Sequence, residues 1–205
     1  RPSLRIGWRY LLLGVRNPRR FSHLSALAIM FASFGAPALT DPTLAIAFAP
    51  EVGLAIGTAL AGAAYCLNPL GDDRDQHPLM LTGAPTLRPV LLGRGVAGIA
   101  LGTVVLALGL VVGLVGGSGL PGGGGHLGGS GILGRHGLTL LGYALLAPVL
   151  FASSVGTALG FGAAVPSYDA TDDGGRIQPA TVPTIVHLLG SVVFSAIGAW
   201  LVIVT

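Results

Sequence analysis

The side chains able to do chemistry are few and widely spaced. His187 falls one turn into an apolar run, and Ser153, Ser154, Ser191 and Ser195 also lie in apolar runs. A serine nucleophile needs a base within hydrogen-bond reach, so a hydrolase would have to pair His187 with one of them. Serines in helices ordinarily bond their own backbone instead. No second histidine or acid is spaced to share a metal with His187, and no HExxH occurs. Glu51 stands beside Pro50 at the edge of another apolar run, while His23, His77, His126 and His136 fall in loops or at interfaces. The single cysteine, Cys66, cannot make an internal disulfide or a thiolate zinc cluster and reads as a small buried hydrophobe. The stretch 117–135 opens GSGLPGGGGHLGGSGILG. No Gly-Lys-Ser/Thr follows its glycines and no strand precedes them, so it reads as a flexible loop rather than a phosphate cradle. No catalytic, metal-binding or cofactor-binding set is expected.

One polar segment stands out. Between two apolar runs, residues 68–89 begin Asn68-Pro69-Leu70-Gly71-Asp72-Asp73-Arg74-Asp75 and continue through Leu79, Met80 and Leu81. Asn-Pro and Gly mark a turn. The three aspartates then stand where a short helix would start, and carboxylates are favoured at that positive end. Leu79–Leu81 form an apolar ridge with nothing obvious to bury it. Such a ridge suits a docking surface or an amphipathic loop on lipid, and the residues alone favour neither.

The elements that would carry these residues follow from composition. Of 205 residues, 52% are hydrophobic and 9% charged, with a mean hydropathy of +0.78. A soluble domain carries about 25% charged residues, so this chain cannot coat a water-facing surface. An ordinary soluble globule and a disordered chain are both excluded. The formal charge of +3 comes without basic runs interleaved with aromatics, and no nucleic-acid partner is expected. About 20 apolar residues cross a bilayer, and five stretches qualify, near 21–39, 52–67, 90–116, 138–164 and 182–204. The fold class is therefore all-α, a polytopic transmembrane helical bundle. The apolar residues 43–49, cut off by Pro50-Glu51, read as a re-entrant or interfacial turn ahead of the second span, and Arg94 as interfacial.

Every basic residue is an arginine, and the arginines set the orientation. Ten fall in the segments before the first span, between the second and third, and between the fourth and fifth. Only Arg135 falls on the other side. Short cytoplasmic loops hold the excess of positive charge, so the N-terminus is expected inside and Thr205 outside. The lysine-free composition points to a GC-rich prokaryotic genome, and the membrane to the cell membrane. Residues 1–20 form a cytoplasmic amphipathic segment. Within it Arg5, Arg9 and Arg16 line one helical face, Trp8 and Tyr10 serve as headgroup anchors, and Asn17-Pro18 ends the helix. Glycines four apart (Gly53/Gly57, Gly98/Gly102, Gly109/Gly113 and Gly156/Gly160) read as close helix packing.

With these residues in view, the chain resembles the membrane-spanning subunit of type 2 ATP-binding-cassette (ABC) transporters, the exporter-like permeases. The run NPLGDD at 68–73, the following Pro-Leu-Met-Leu-Thr, and Leu91-Leu92-Gly93-Arg94 are similar to that family's pattern. So are Arg16-Asn17-Pro18-Arg19-Arg20-Phe21 upstream, and GTALGFGAAVP at 156–166 with Val182-Pro183-Thr184 downstream. Asp73 departs from the family's usual glutamate, and a further span would follow Thr205, as in a fragment of a longer permease. The resemblance implies that the chain itself hydrolyses no ATP and binds no cofactor. A partner ABC ATPase would bind ATP, and a second permease unit would complete the transporter. The candidates for the ATPase-coupling loop are Asn68, Pro69, Gly71, Asp72, Asp73, Arg74, Asp75, Leu79, Met80 and Leu81, with 68–89 as that loop. Arg5, Trp8, Arg9, Tyr10 and Arg16 would belong to the connecting helix on the lipid surface. Two alternatives compete: a noncatalytic membrane anchor or assembly protein, and an intramembrane hydrolase built on His187.

Overall fold

A computed structural model describes residues 2–25, 29, 32, 41–69, 87–119, 135–166, 179 and 181–204. Helix α1 spans Pro2–Arg16 and gives way at Asn17 to a 3₁₀ helix, Pro18–Leu24. Proline at position 18 removes an N–H and disfavours helix at the residue before it. Four long helices follow: α2 Pro42–Cys66, α3 Arg88–Gly119, α4 Arg135–Ala164 and α5 Thr181–Val204.

Each of the four contains a stretch of 24 or 28 residues long and apolar enough to cross a membrane. At 1.5 Å per residue, 24 residues reach about 36 Å, against about 30 Å of hydrocarbon. The chain is a helical bundle of the multi-pass membrane type. Most of the expected first span near 21–39, residues 70–86 of the expected coupling loop, and residues 120–134 of the glycine-rich loop lie outside the described residues.

Helix α2 corrects the reading of the second span. It runs unbroken from Pro42 through Pro50 to Cys66, so residues 43–49 are helix and not a re-entrant turn, and Glu51 stands inside a helix. Its start is capped: the Asp41 carboxylate accepts the Thr43 N–H at 2.9 Å and the Thr43 hydroxyl, and Pro42 occupies the first turn. The Thr43 hydroxyl, then its N–H, hold the Asp41 carboxyl below its ordinary value. Pro50 withdraws one N–H from the ladder, a loss that membrane helices tolerate when neighbouring helices cover the site.

The bundle is built inside out relative to a soluble protein. Large apolar side chains such as Leu108 and Val115 on α3, Leu145 and Val149 on α4, and Val193 and Trp200 on α5 face outward. Small and polar residues face inward. Lipid gives apolar surface no reason to turn inward, so close backbone approach and buried hydrogen bonds hold the helices together. The antiparallel α2–α3 pair shows this most clearly. A Cβ on Gly57 would meet the Gly102 carbonyl oxygen at 2.7 Å, and one on Gly109 would meet that of Ala49 at 2.5 Å. Cβ atoms on Gly98 and Gly102 would run into the carbonyls of Ala61 and Gly57. The expected packing role of these glycines is realised. Gly156 and Gly160 differ, because nothing lies within 4 Å of a Cβ at either.

Candidate functional site

Three polar clusters lie between the helices, and each joins residues far apart in sequence. The first is at the end of the bundle where α2 finishes and α3 begins. Arg94 is completely buried there, not interfacial as its place in the sequence suggests. Its Nη1 donates to the Tyr65 carbonyl at 2.9 Å, and its Nε to the Tyr10 hydroxyl at 3.2 Å. Its guanidinium carbon lies 4.8 Å from the centroid of the Tyr10 ring. Tyr65 is in the last turn of α2, where carbonyls lack helical donors and the helix dipole is negative, so a guanidinium is well suited to the spot. Tyr10 and Phe21 both pack on the Tyr65 ring, with centroids 6.2 and 5.6 Å away.

Helix α1 is thereby fixed to both spans. Its buried face is Gly7, Tyr10 and Gly14, and a Cβ on Gly7 would touch the Gly93 carbonyl at 3.0 Å. Tyr10 therefore packs inward beneath Arg94 and is not a headgroup anchor. Trp8, Arg5, Arg9 and Arg16 are exposed, as expected of a helix lying on a surface. The 3₁₀ helix adds a further tie, with His23 Nε2 3.1 Å from the Ala63 carbonyl. Of the expected coupling-loop residues, Asn68 and Pro69 are buried against the bundle, near Gly162 at the end of α4. Gly71, Asp72, Asp73, Arg74, Asp75, Leu79, Met80 and Leu81 lie outside the described residues.

The second cluster surrounds His187 on α5, which is buried against α2 and α4. Its Nε2 lies 3.4 Å from Ser154 Oγ and 3.5 Å from Ser191 Oγ, and its Nδ1 lies 3.4 Å from Thr157 Oγ1. Gly62 makes the room: a Cβ there would come within 2.5 Å of the imidazole. The pairing of His187 with a span serine that a hydrolase would need is therefore close in space. The Ser154 hydroxyl, however, donates to the Thr58 carbonyl, and the Ser195 hydroxyl donates to the Ser191 carbonyl at 2.7 Å. Ser154 thus spends its proton on backbone and ties α4 to α2, while α5 joins them through the contacts of the His187 ring with Ser154 and Thr157.

The third cluster is Glu51 with Tyr143. The Tyr143 hydroxyl of α4 donates to Glu51 Oε1 at 2.7 Å, while Oε2 is buried with no hydrogen-bond partner. No group of three or more His, Cys, Asp or Glu residues able to hold a metal occurs among the described residues.

Sequence reasoning missed Arg94 and Tyr143 as partners because each acts across helices. One signal was visible for Arg94, a lone cation at the head of an otherwise apolar run, and burial requires such a group to find acceptors. Nothing in the sequence pairs Tyr143 with Glu51, which are 92 residues apart. No protein family, no curated protein and no solved structure matches this chain.

Proposed function

We propose that the chain is the membrane-spanning permease unit of an ATP-driven, exporter-like ABC transporter in a prokaryotic cell membrane. It works with a partner ATPase that binds the nucleotide and with a second permease unit. The observation that carries this reading is the Arg94 clamp. It joins the surface helix α1, the end of α2 and the start of α3, which flank residues 70–86 on either side. A force applied to that segment is delivered to α2 and α3 together, and the glycine contacts between them carry it along the bundle. ATP can drive such a movement only by binding one arrangement of the assembly better than the other. Asp72, Asp73, Arg74 and Asp75 offer charged contacts to the ATPase, and Leu79–Leu81 offer apolar ones.

The test replaces Asp72, Asp73 and Asp75 together with asparagine and measures copurification with an ABC ATPase from the same cells. The expected result is lost association and lost transport-coupled ATP hydrolysis with an intact bundle. Undiminished association and activity reject the assignment.

A further inference from the structure

We propose that Glu51 and Tyr143 form an intramembrane site for a hard monovalent cation, a proton or a sodium ion. The site does not depend on the transporter reading. Glu51 is the one acidic residue among the described residues of the four apolar helices. It stands nine residues after Pro42 and fifteen before Cys66, about 14 and 22 Å along the axis from the two ends of α2. Ionisable side chains at such depth are costly and mark ion or substrate paths.

The two carboxylate oxygens differ. Oε1 receives the phenol proton of Tyr143, a residue 0% exposed, and this bond fixes the orientation of the carboxylate. Oε2 is buried without a donor. Glu51 as a residue is half-buried, but an unmatched carboxylate oxygen shielded from water costs more than one in water, and a cation bound there offsets the cost. Pro50 is fully buried alongside and carries no N–H for the carbonyl four residues earlier, that of Ile46. Oxygen-only donors favour hard ions. With a single carboxylate, the charge matched is that of a monovalent ion.

No side chain among the described residues supplies the missing charge. On α3, Arg94 is engaged with Tyr10 and Tyr65 at the far end of α2, and Arg88 lies still nearer the start of α3. On α4, Tyr143 is the group bonded to Glu51, and Arg135 and His136 stand at the start of that helix, about 10–12 Å earlier along its axis. On α5, His187 packs at Gly62, eleven residues and about 16 Å farther along α2. Arg5, Arg9 and Arg16 belong to α1, which packs at the Tyr65 end.

The test treats the purified full chain in detergent with dicyclohexylcarbodiimide, which couples to carboxyl groups in apolar surroundings, and follows modification of Glu51 by peptide mass spectrometry. The expected result is selective modification of Glu51, with Asp41 at the helix start unmodified. Labelling that rises with acidity and ignores sodium identifies the proton as the ion. Labelling suppressed by sodium chloride, but not by choline chloride, identifies sodium. Tyr143→Phe removes a donor that favours the bare, charged carboxylate, so the ion should act at about tenfold lower concentration, the fold-change for losing one hydrogen bond to a charged group. Absence of Glu51 labelling, or labelling indifferent to both pH and sodium, overturns the proposal. The wild-type measurement stands even where Glu51→Gln or Tyr143→Phe fails to fold.

Discussion

Adding one methyl group at Gly98 should destabilise the bundle, and the same change at Gly156 should not. At Gly98 the new Cβ runs into the carbonyl oxygen of Ala61 and lies 3.0 Å from its carbonyl carbon. Both are backbone atoms, so no side chain can swing aside and the helices themselves must part. Ordinary contact needs roughly 3.4 Å or more between such atoms. The displacement also loosens the neighbouring contacts, including the site where a Cβ on Gly57 would meet the Gly102 oxygen at 2.7 Å. Overpacking of this kind costs about 1–3 kcal/mol, and with only backbone to yield we expect about 2 kcal/mol for Gly98→Ala. That corresponds to a fall in Tm of roughly 4–8 °C for a chain of this size. A Cβ on Gly156 finds nothing within 4 Å, so Gly156→Ala gains only helix propensity, up to about 1 kcal/mol. Thermal unfolding in detergent, followed by helical circular dichroism and checked by gel filtration, compares the two directly. If Gly98→Ala melts with the wild type, or above Gly156→Ala, the close approach of α2 and α3 is not what holds this pair together.

Other outcomes follow from the remaining clusters. Arg94→Met leaves the Tyr65 carbonyl and the Tyr10 hydroxyl without that donor. Each lost hydrogen bond from a charged donor is worth about 1.5–3 kcal/mol, so α1 should loosen, and trypsin should cleave faster after Arg5, Arg9 and Arg16 than in the wild type. At the start of α2, the Asp41 carboxyl is lowered from its ordinary 3.8 chiefly by the Thr43 hydroxyl. A depressed carboxyl adds stability above its unfolded value and loses it as pH falls through the folded one. Helix content should therefore fray on acidification below that value in the wild type, and hardly at all in Asp41→Asn, whose amide oxygen still caps.

The parts of the fold legible in the sequence are those set by one-dimensional patterns. Four apolar runs are helices, three with nearly the expected limits and the second beginning ten residues earlier than expected, because their length and lack of charge leave few other solutions in lipid. The stop at Asn17-Pro18 is legible too, since proline acts on its immediate neighbours. Pro50 is the misleading signal. Its local cost is one hydrogen bond, and packing against Gly113 on α3 covers the place, so the helix continues. The surface helix is half legible: its exposed arginines and Trp8 are, but the inward turn of Tyr10 is not, because that depends on where Arg94 arrives.

The sequence by itself determined that the chain is helical, lipid-facing, and held together through small residues, because charge content, run length and glycine spacing are sums over neighbours along the chain. Only the tertiary structure decided which polar groups meet. Arg94 reaches Tyr10 across 84 residues, Tyr143 reaches Glu51 across 92, and Ser154 reaches Thr58 across 96. Between the helices a polar side chain bonds either its own helix, as Ser195 does with the Ser191 carbonyl, or a group on another helix. The choice of partner is fixed by how the helices cross, which no local pattern encodes.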